Sequence, residues 1–148
     1  MKVYLKEFKI KYLFELIWEV LDFKTLRNLG LIDPYHWLRI IKNGIIKRRE
    51  SRALMIYGKS EIIGGISAVK TKNKFWKVGI FIFKKYRSKN LGQKAIKELV
   101  KYGKKNGWKR LKAETLNSNK PAQKILKKAG FKQVDRSNRE TFFEKNLQ

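Results

Sequence analysis

The sequence predicts a single α/β (α+β) domain over residues 1–148, built on a mixed, mostly antiparallel sheet with helices on both faces. Three observations predict it. A strand-forming run, Val78 to Phe83, empties into a short basic loop. That loop leads straight into a segment with apolar residues at Leu91, Ala95, Ile96, Leu99 and Val100, so strand, loop and amphipathic helix follow one another. A second helix is punctuated at both ends: Ser118 or Asn119 caps it, Pro121 stands in its first turn, and Gly130 ends it in the left-handed region before Phe131 begins a strand. Finally, 148 residues with 43% hydrophobic content and no long polar tract suit one core of ordinary size.

In chain order, Val3 to Phe8 alternates as a first strand. Ile10 to Leu21 carries Leu13, Leu16, Ile17, Val20 and Leu21 at helical spacing, with Phe14 and Trp18 widening the stripe. After a loop around Asn28 to Gly30, Asp33 caps and Pro34 opens a helix from Tyr35 to Ile41, which stops near Asn43-Gly44. Arg52 to Tyr57 and Glu61 to Lys70 are strands joined by Gly58-Lys-Ser, and a third, Phe75 to Phe83, follows a turn at Thr71 to Lys74. The helix from Leu91 to Lys105 comes next. The strand from Arg110 to Leu116 places Lys112, Glu114 and Leu116 on one face and Leu111, Ala113 and Thr115 on the other. A helix from Lys120 to Ala129 and a closing pair, Lys132 to Asp135 and Glu140 to Glu144, complete the order β-α-α-β-β-β-α-β-α-β-β. No internal repeat is visible.

Composition removes several kinds of chemistry. The chain has no cysteine, which excludes disulfides, thiolate catalysis and Cys-ligated zinc, and points to the cytosol; a single histidine argues against any other histidine-built metal site. No stretch approaches the roughly 20 apolar residues of a membrane span, and Met1-Lys-Val-Tyr-Leu-Lys has no signal-peptide core. The charge is unusual: 37 Lys plus Arg against 12 Asp plus Glu give +25. Such a surface attracts polyanions, whether nucleic acid, anionic membrane or a phosphorylated substrate. A coding bias toward Lys, Asn and Ile, with solvated lysines on helix backs, gives the same count.

The loop after Phe83 carries the chemistry. A helix opening presents up to four unpaired N–H groups and about half a positive charge, so a loop wrapped onto it suits an anion such as a pyrophosphate. Arg87, Lys89 and Lys94 add positive charge there. The run Arg87-Ser-Lys-Asn90-Leu-Gly92 resembles the R-x-x-G-x-G/A loop of the GCN5-related N-acetyltransferases, with Asn90 for the first Gly; Asn tolerates positive φ best after Gly. Asn119-Lys-Pro-Ala122-Gln-Lys-Ile-Leu126-Lys-Lys-Ala-Gly130-Phe131 is similar to the same family's N-x-x-A-x-x-x-Y-x-x-x-G-F segment. Together the two cover roughly Ala53 to the C-terminus.

The resemblance implies acetyl-CoA as cosubstrate and a sheet whose fourth and fifth strands splay apart. The implied cofactor contacts are Ile80, Phe81, Ile82 and Phe83 along the pantetheine arm, and Arg87, Ser88, Lys89, Asn90, Leu91, Gly92, Gln93 and Lys94 around the pyrophosphate, with Asn119 beyond. The thioester carbonyl would meet the Ile82 N–H as an oxyanion donor. Gly79 reads either as a bulge that opens the gap or as a packing accommodation. Two departures bear on catalysis: Leu126 stands where the family often has a tyrosine acid, and Lys77 where an acidic residue is common. CoA thiolate is a good leaving group, so proximity with water carrying protons remains feasible. Glu114 and His36 are the remaining catalytic candidates. Tyr86 reads as support for the loop, and Glu50 and Glu61 as surface carboxylates.

Ile32-Asp-Pro-Tyr-His36-Trp37-Leu38 and Val78-Gly-Ile-Phe-Ile are similar to the branch that acetylates nucleotide-linked amino sugars, and a basic protein suits a diphosphate-bearing acceptor. A protein or peptide amine is the second acceptor reading. A basic nucleic-acid-binding module on a lapsed catalytic fold is a third. Strand edges near Phe142 and Phe143 offer a route to a homodimer.

Overall fold

The computed structural model describes residues 1–9, 50–87 and 89–148. The helices expected over residues 10–21 and 35–41, and His36 with them, lie outside the described residues, as does Ser88. Seven described strands form one sheet: β1 (Val3–Glu7), β2 (Ser51–Gly58), β3 (Glu61–Lys70), β4 (Trp76–Ile82), β5 (Arg110–Leu116), β6 (Lys132–Arg136) and β7 (Glu140–Asn146). Their spatial order is β1-β2-β3-β4-β5-β7-β6. Every pairing is antiparallel except β4 with β5. A 3₁₀ turn, Lys84–Tyr86, follows β4, and helices α1 (Leu91–Lys105) and α2 (Lys120–Lys128) flank β5 in sequence.

Alternation sorts the strand residues onto two faces. Leu54, Ile56, Ile66, Trp76, Val78, Leu111, Ala113 and Phe143 pack with Leu91, Ala95, Ile96 and Leu99 of α1 and Leu126 of α2 in the main core. Met55, Tyr57, Phe81 and Phe83 form a second buried cluster. Each is one residue out of step with a main-core neighbour, so this cluster lies on the opposite face. The lysines of α1 at positions 94, 97, 101, 104 and 105, and all four of α2, are exposed on the helix backs, as the solvated reading of the charge expects.

Both helices stop the same way. At α2 the Gly130 N–H donates to Lys127 O and the Phe131 N–H to Leu126 O, with Gly130 at φ +80°. At α1 the Gly107 N–H donates to Lys104 O and the Trp108 N–H to Gly103 O, with Gly107 at φ +68°. These paired bonds consume the last carbonyls, and the positive φ is open to glycine without a Cβ penalty. The stop of α1 turns Trp108 onto Trp76, the two rings stacked at 4.1 Å and 12°.

Candidate active site

The sheet forks between β4 and β5. They pair only at Trp76↔Leu111 and Lys77↔Lys112, after which β4 continues to Ile82 and β5 to Leu116 with no ladder between them. On its other side β4 is paired with β3 along its whole length, from Lys70↔Trp76 to Gly64↔Ile82. That ladder is continuous through Ser67↔Gly79, so Gly79 is no bulge. It is a close approach: a Cβ there would lie 3.0 Å from Ser67 Oγ.

One bond fixes which way the backbone of β4 faces. The Phe83 N–H donates to Ile63 O at 3.0 Å. Backbone direction alternates in an antiparallel ladder, so Phe81 and Phe83 spend their N–H and C=O groups on β3, while those of Ile80 and Ile82 point into the fork. Phe81 and Phe83 also send their side chains into the second cluster. Of the four residues expected along the arm, Ile80 and Ile82 turn their backbone groups toward the fork, and Phe81 and Phe83 turn theirs to β3. The Ile82 carbonyl is taken by Arg87 Nε at 3.0 Å, which leaves the Ile82 N–H facing the fork.

Below the fork lies a cavity of about 190 Å³. Val78, Ile80 and Ile82 line it from β4, Ala113, Glu114 and Thr115 from β5, Gly92, Ile96 and Leu99 from α1, and Ala122, Ile125 and Leu126 from α2 with its cap Asn119. Its walls are largely aliphatic. Leu126 is buried there, so no phenol stands at the position where the resemblance would put a tyrosine acid.

At the mouth, α1 opens from Asn90 at φ 55°, ψ 15°, the left-handed conformation that its side chain tolerates, and that side chain makes no cap bond. Lys94 N–H is the first to find an intrahelical acceptor, Asn90 O at 3.2 Å. The N–H groups of Leu91, Gly92 and Gln93 have none, by the geometry of a helix start. A Cβ on Gly92 would project toward Ile125 Cδ1 at 3.4 Å and Ile82 Cγ1 at 3.8 Å, into the cavity. Asn119 behaves differently: its Oδ1 accepts from the Ala122 N–H at 3.2 Å and closes the start of α2.

The charged residues of the loop divide. Lys89 is exposed. Lys94 is turned away, donating from Nζ to Met1 O at 2.9 Å, and its positive charge holds the Met1 amine below the usual α-amino range. Arg87 is drawn inward by its bond to Ile82. Among the described residues, two buried side-chain polar atoms have no hydrogen-bond partner: Thr115 Oγ1, on a residue that lines the cavity, and Arg87 Nη2, on the residue bonded to the carbonyl of Ile82. Unpaired donors at a helix start, a half-spent guanidinium and a strand edge without a partner suit an anionic, amide-bearing ligand. They fit coenzyme A.

Glu114 lies on the face of β5 opposite Ala113 and makes an ion pair with Lys77 at 2.6 Å; Lys77 is 49% exposed and Glu114 22%. The pair crosses from Lys77, in the last ladder pair, to Glu114, two residues beyond Lys112 on β5. Tyr86 donates its hydroxyl to Glu61 Oε2 at 2.5 Å, and that bond raises its pKa above the ordinary tyrosine value. Tyr86 thus ties the loop to β3, the supporting part expected of it. Glu50 and Glu61 are on the surface. Phe142 and Phe143 are not at an edge: β7 lies between β5 and β6, and Phe143 is fully buried. The C-terminal edge is β6, whose five residues are all exposed. Thr115 is the site residue that sequence reasoning passed over. Its signal was a lone hydroxyl on the face shared with Leu111 and Ala113.

A model of the acetyltransferase (GNAT) domain matches residues 18–132. A search of curated proteins finds no match. Among solved structures, the chain is similar to the spermidine N-acetyltransferase of Vibrio cholerae in complex with CoA and spermine, at 12% identity and TM-score 0.84, covering 99% of this chain and 96% of that one. It is also similar to the Salmonella typhimurium acetyltransferase that modifies the N-terminal serine of ribosomal protein L7/L12, at 14% identity and TM-score 0.78, covering 100% and 96%. A third is the Campylobacter jejuni N-acetyltransferase PseH, at 19% identity and TM-score 0.73, covering 100% of each. Among the described residues no helix is long and apolar enough to cross a membrane, and no group of acidic, His or Cys side chains could hold a metal ion.

Proposed function

The chain belongs to the GNAT acetyltransferase family, and from that premise we propose that it transfers the acetyl group of acetyl-CoA to the primary amine of a small phosphate-bearing acceptor, a nucleotide-linked amino sugar. The observation that carries the reading is the forked sheet beside an uncapped helix start. Acetyl-CoA supplies an activated acyl group with a good leaving group. The Ile82 N–H is the donor available to a developing oxyanion, and the N–H groups of Leu91, Gly92 and Gln93, with Arg87 and Lys89, hold the pyrophosphate. Glu114 takes the proton of the acceptor amine through water, oriented by its ion pair with Lys77. The wall at Leu126 offers no acid, so water protonates the leaving thiolate. The net charge of +25 supports an anionic acceptor over a polycation.

The test begins with calorimetric titration of acetyl-CoA at moderate salt, with CoA and ATP as controls. Micromolar binding of the two coenzymes and none of ATP is the expected result; equal uptake of every polyphosphate would reduce the loop to a basic patch. Acetyl transfer to nucleotide-linked amino sugars is then compared with transfer to peptides. A preference for peptides would replace the acceptor assignment, and RNA binding that persists above physiological salt would favour the nucleic-acid reading. Glu114→Gln should lower turnover and leave coenzyme affinity unchanged, and an unaltered rate removes Glu114 from the mechanism.

A further inference from the structure

We propose that the Thr115 hydroxyl binds an amide of the coenzyme's pantetheine arm and holds it across the fork from Ile80. The inference rests on the acetyl-CoA reading above. Thr115 follows Leu111 and Ala113 on the buried face of β5, where a hydrocarbon side chain would serve packing alone. Its Oγ1 is buried and has no hydrogen-bond partner among the described residues, and the residue lines the cavity.

Register says what stands opposite. β4 and β5 pair in parallel at Trp76↔Leu111 and Lys77↔Lys112; carried forward, that register sets Thr115 level with Ile80. The backbone N–H and C=O of Ile80 face the same gap, because alternation from the Phe83–Ile63 bond turns them away from β3. A hydroxyl both donates and accepts, and so does an amide in an extended chain. Most of the cavity lining is aliphatic, including Ile80, Ile96 and Ile125, and neither Glu114 nor Asn119 bonds the Thr115 hydroxyl. An orphaned hydroxyl in such a wall disfavours the free protein, and a bound amide at the level of Ile80 satisfies it.

The test is Thr115→Val, which keeps the branched shape and deletes the hydroxyl, with Thr115→Ser alongside. Thermal unfolding of the free protein and calorimetric binding of CoA are measured for each, together with binding of the nucleotide half of coenzyme A alone. The expected result has opposite signs: Thr115→Val melts above the wild type yet binds CoA roughly three- to tenfold more weakly. Binding of the nucleotide half is unchanged, and Thr115→Ser retains wild-type CoA affinity. CoA affinity unaltered in Thr115→Val overturns the inference and leaves the cofactor reading standing. Equal losses for CoA and the nucleotide half, or a lower melting temperature, also overturn it, since the hydroxyl would then serve the free fold. A wild-type protein that takes no CoA overturns both.

Discussion

Helices α1 and α2 start at the same residue type and finish with the same motif, and only their first turns differ. Asn119 sits at φ −83° with its Oδ1 on the Ala122 N–H. Asn90 sits at φ 55° with no cap bond. An asparagine in the extended or bridging region points its carbonyl at the following turn and closes it; one in the left-handed region swings its side chain clear. Backbone conformation, and not residue identity, decides whether a helix start is sealed or left for a ligand. The open start is also the one beside the fork and Arg87, so the donors of α1 and the bare edge of β4 face one cleft.

Substitutions at the two starts test the contrast. Gly92→Val should have the largest effect: its branches would fill the space before Ile125 and Ile82, abolishing acetyl-CoA binding by calorimetry while circular dichroism shows the fold intact. Normal binding would mean the pyrophosphate lies elsewhere. Arg87→Ala combined with Lys89→Ala should weaken binding by about 1–3 kcal/mol, the range for charge-assisted hydrogen bonds. At Asn90, valine forced into the left-handed region should destabilise the fold by about 1–2 kcal/mol, whereas Asn90→Gly should match the wild type in melting temperature and affinity. If Asn90→Gly bound poorly, the side chain and not the backbone shape would be the ligand contact. Asn119→Ala, which unseals α2, should lower stability by about 1 kcal/mol, read as a drop of a few degrees in thermal unfolding.

Much of this was legible in the chain. The first helix spans the expected Leu91 to Lys105, the second starts after its expected Asn119 cap and stops at its expected Gly130, and Asn90 adopts the positive φ that its place in the loop required. These are local events, decided within a few residues. The fork followed from family resemblance; its depth of only two ladder pairs did not, because strand pairing depends on residues 35 positions apart. Long side chains were the least legible. Lys94 reaches back to Met1 and Arg87 folds onto Ile82, choices made by partners that spacing does not reveal. Which residues of β4 turn their backbone toward the fork was illegible for a related reason. Alternation gives two equivalent phases, and a single bond from Phe83 to Ile63 is needed to choose between them.

The indole stack of Trp76 and Trp108 lies where the two arms of the sheet still touch. Two near-parallel chromophores 4.1 Å apart couple their electronic transitions, so this pair, half of the chain's four tryptophans, should produce a split band in circular dichroism. The hinge of the fork therefore carries its own optical gauge. If occupying the cleft levers the arms apart, the band should collapse while the far-ultraviolet backbone signal stays constant; if the arms are rigid, it should stay unchanged through saturation.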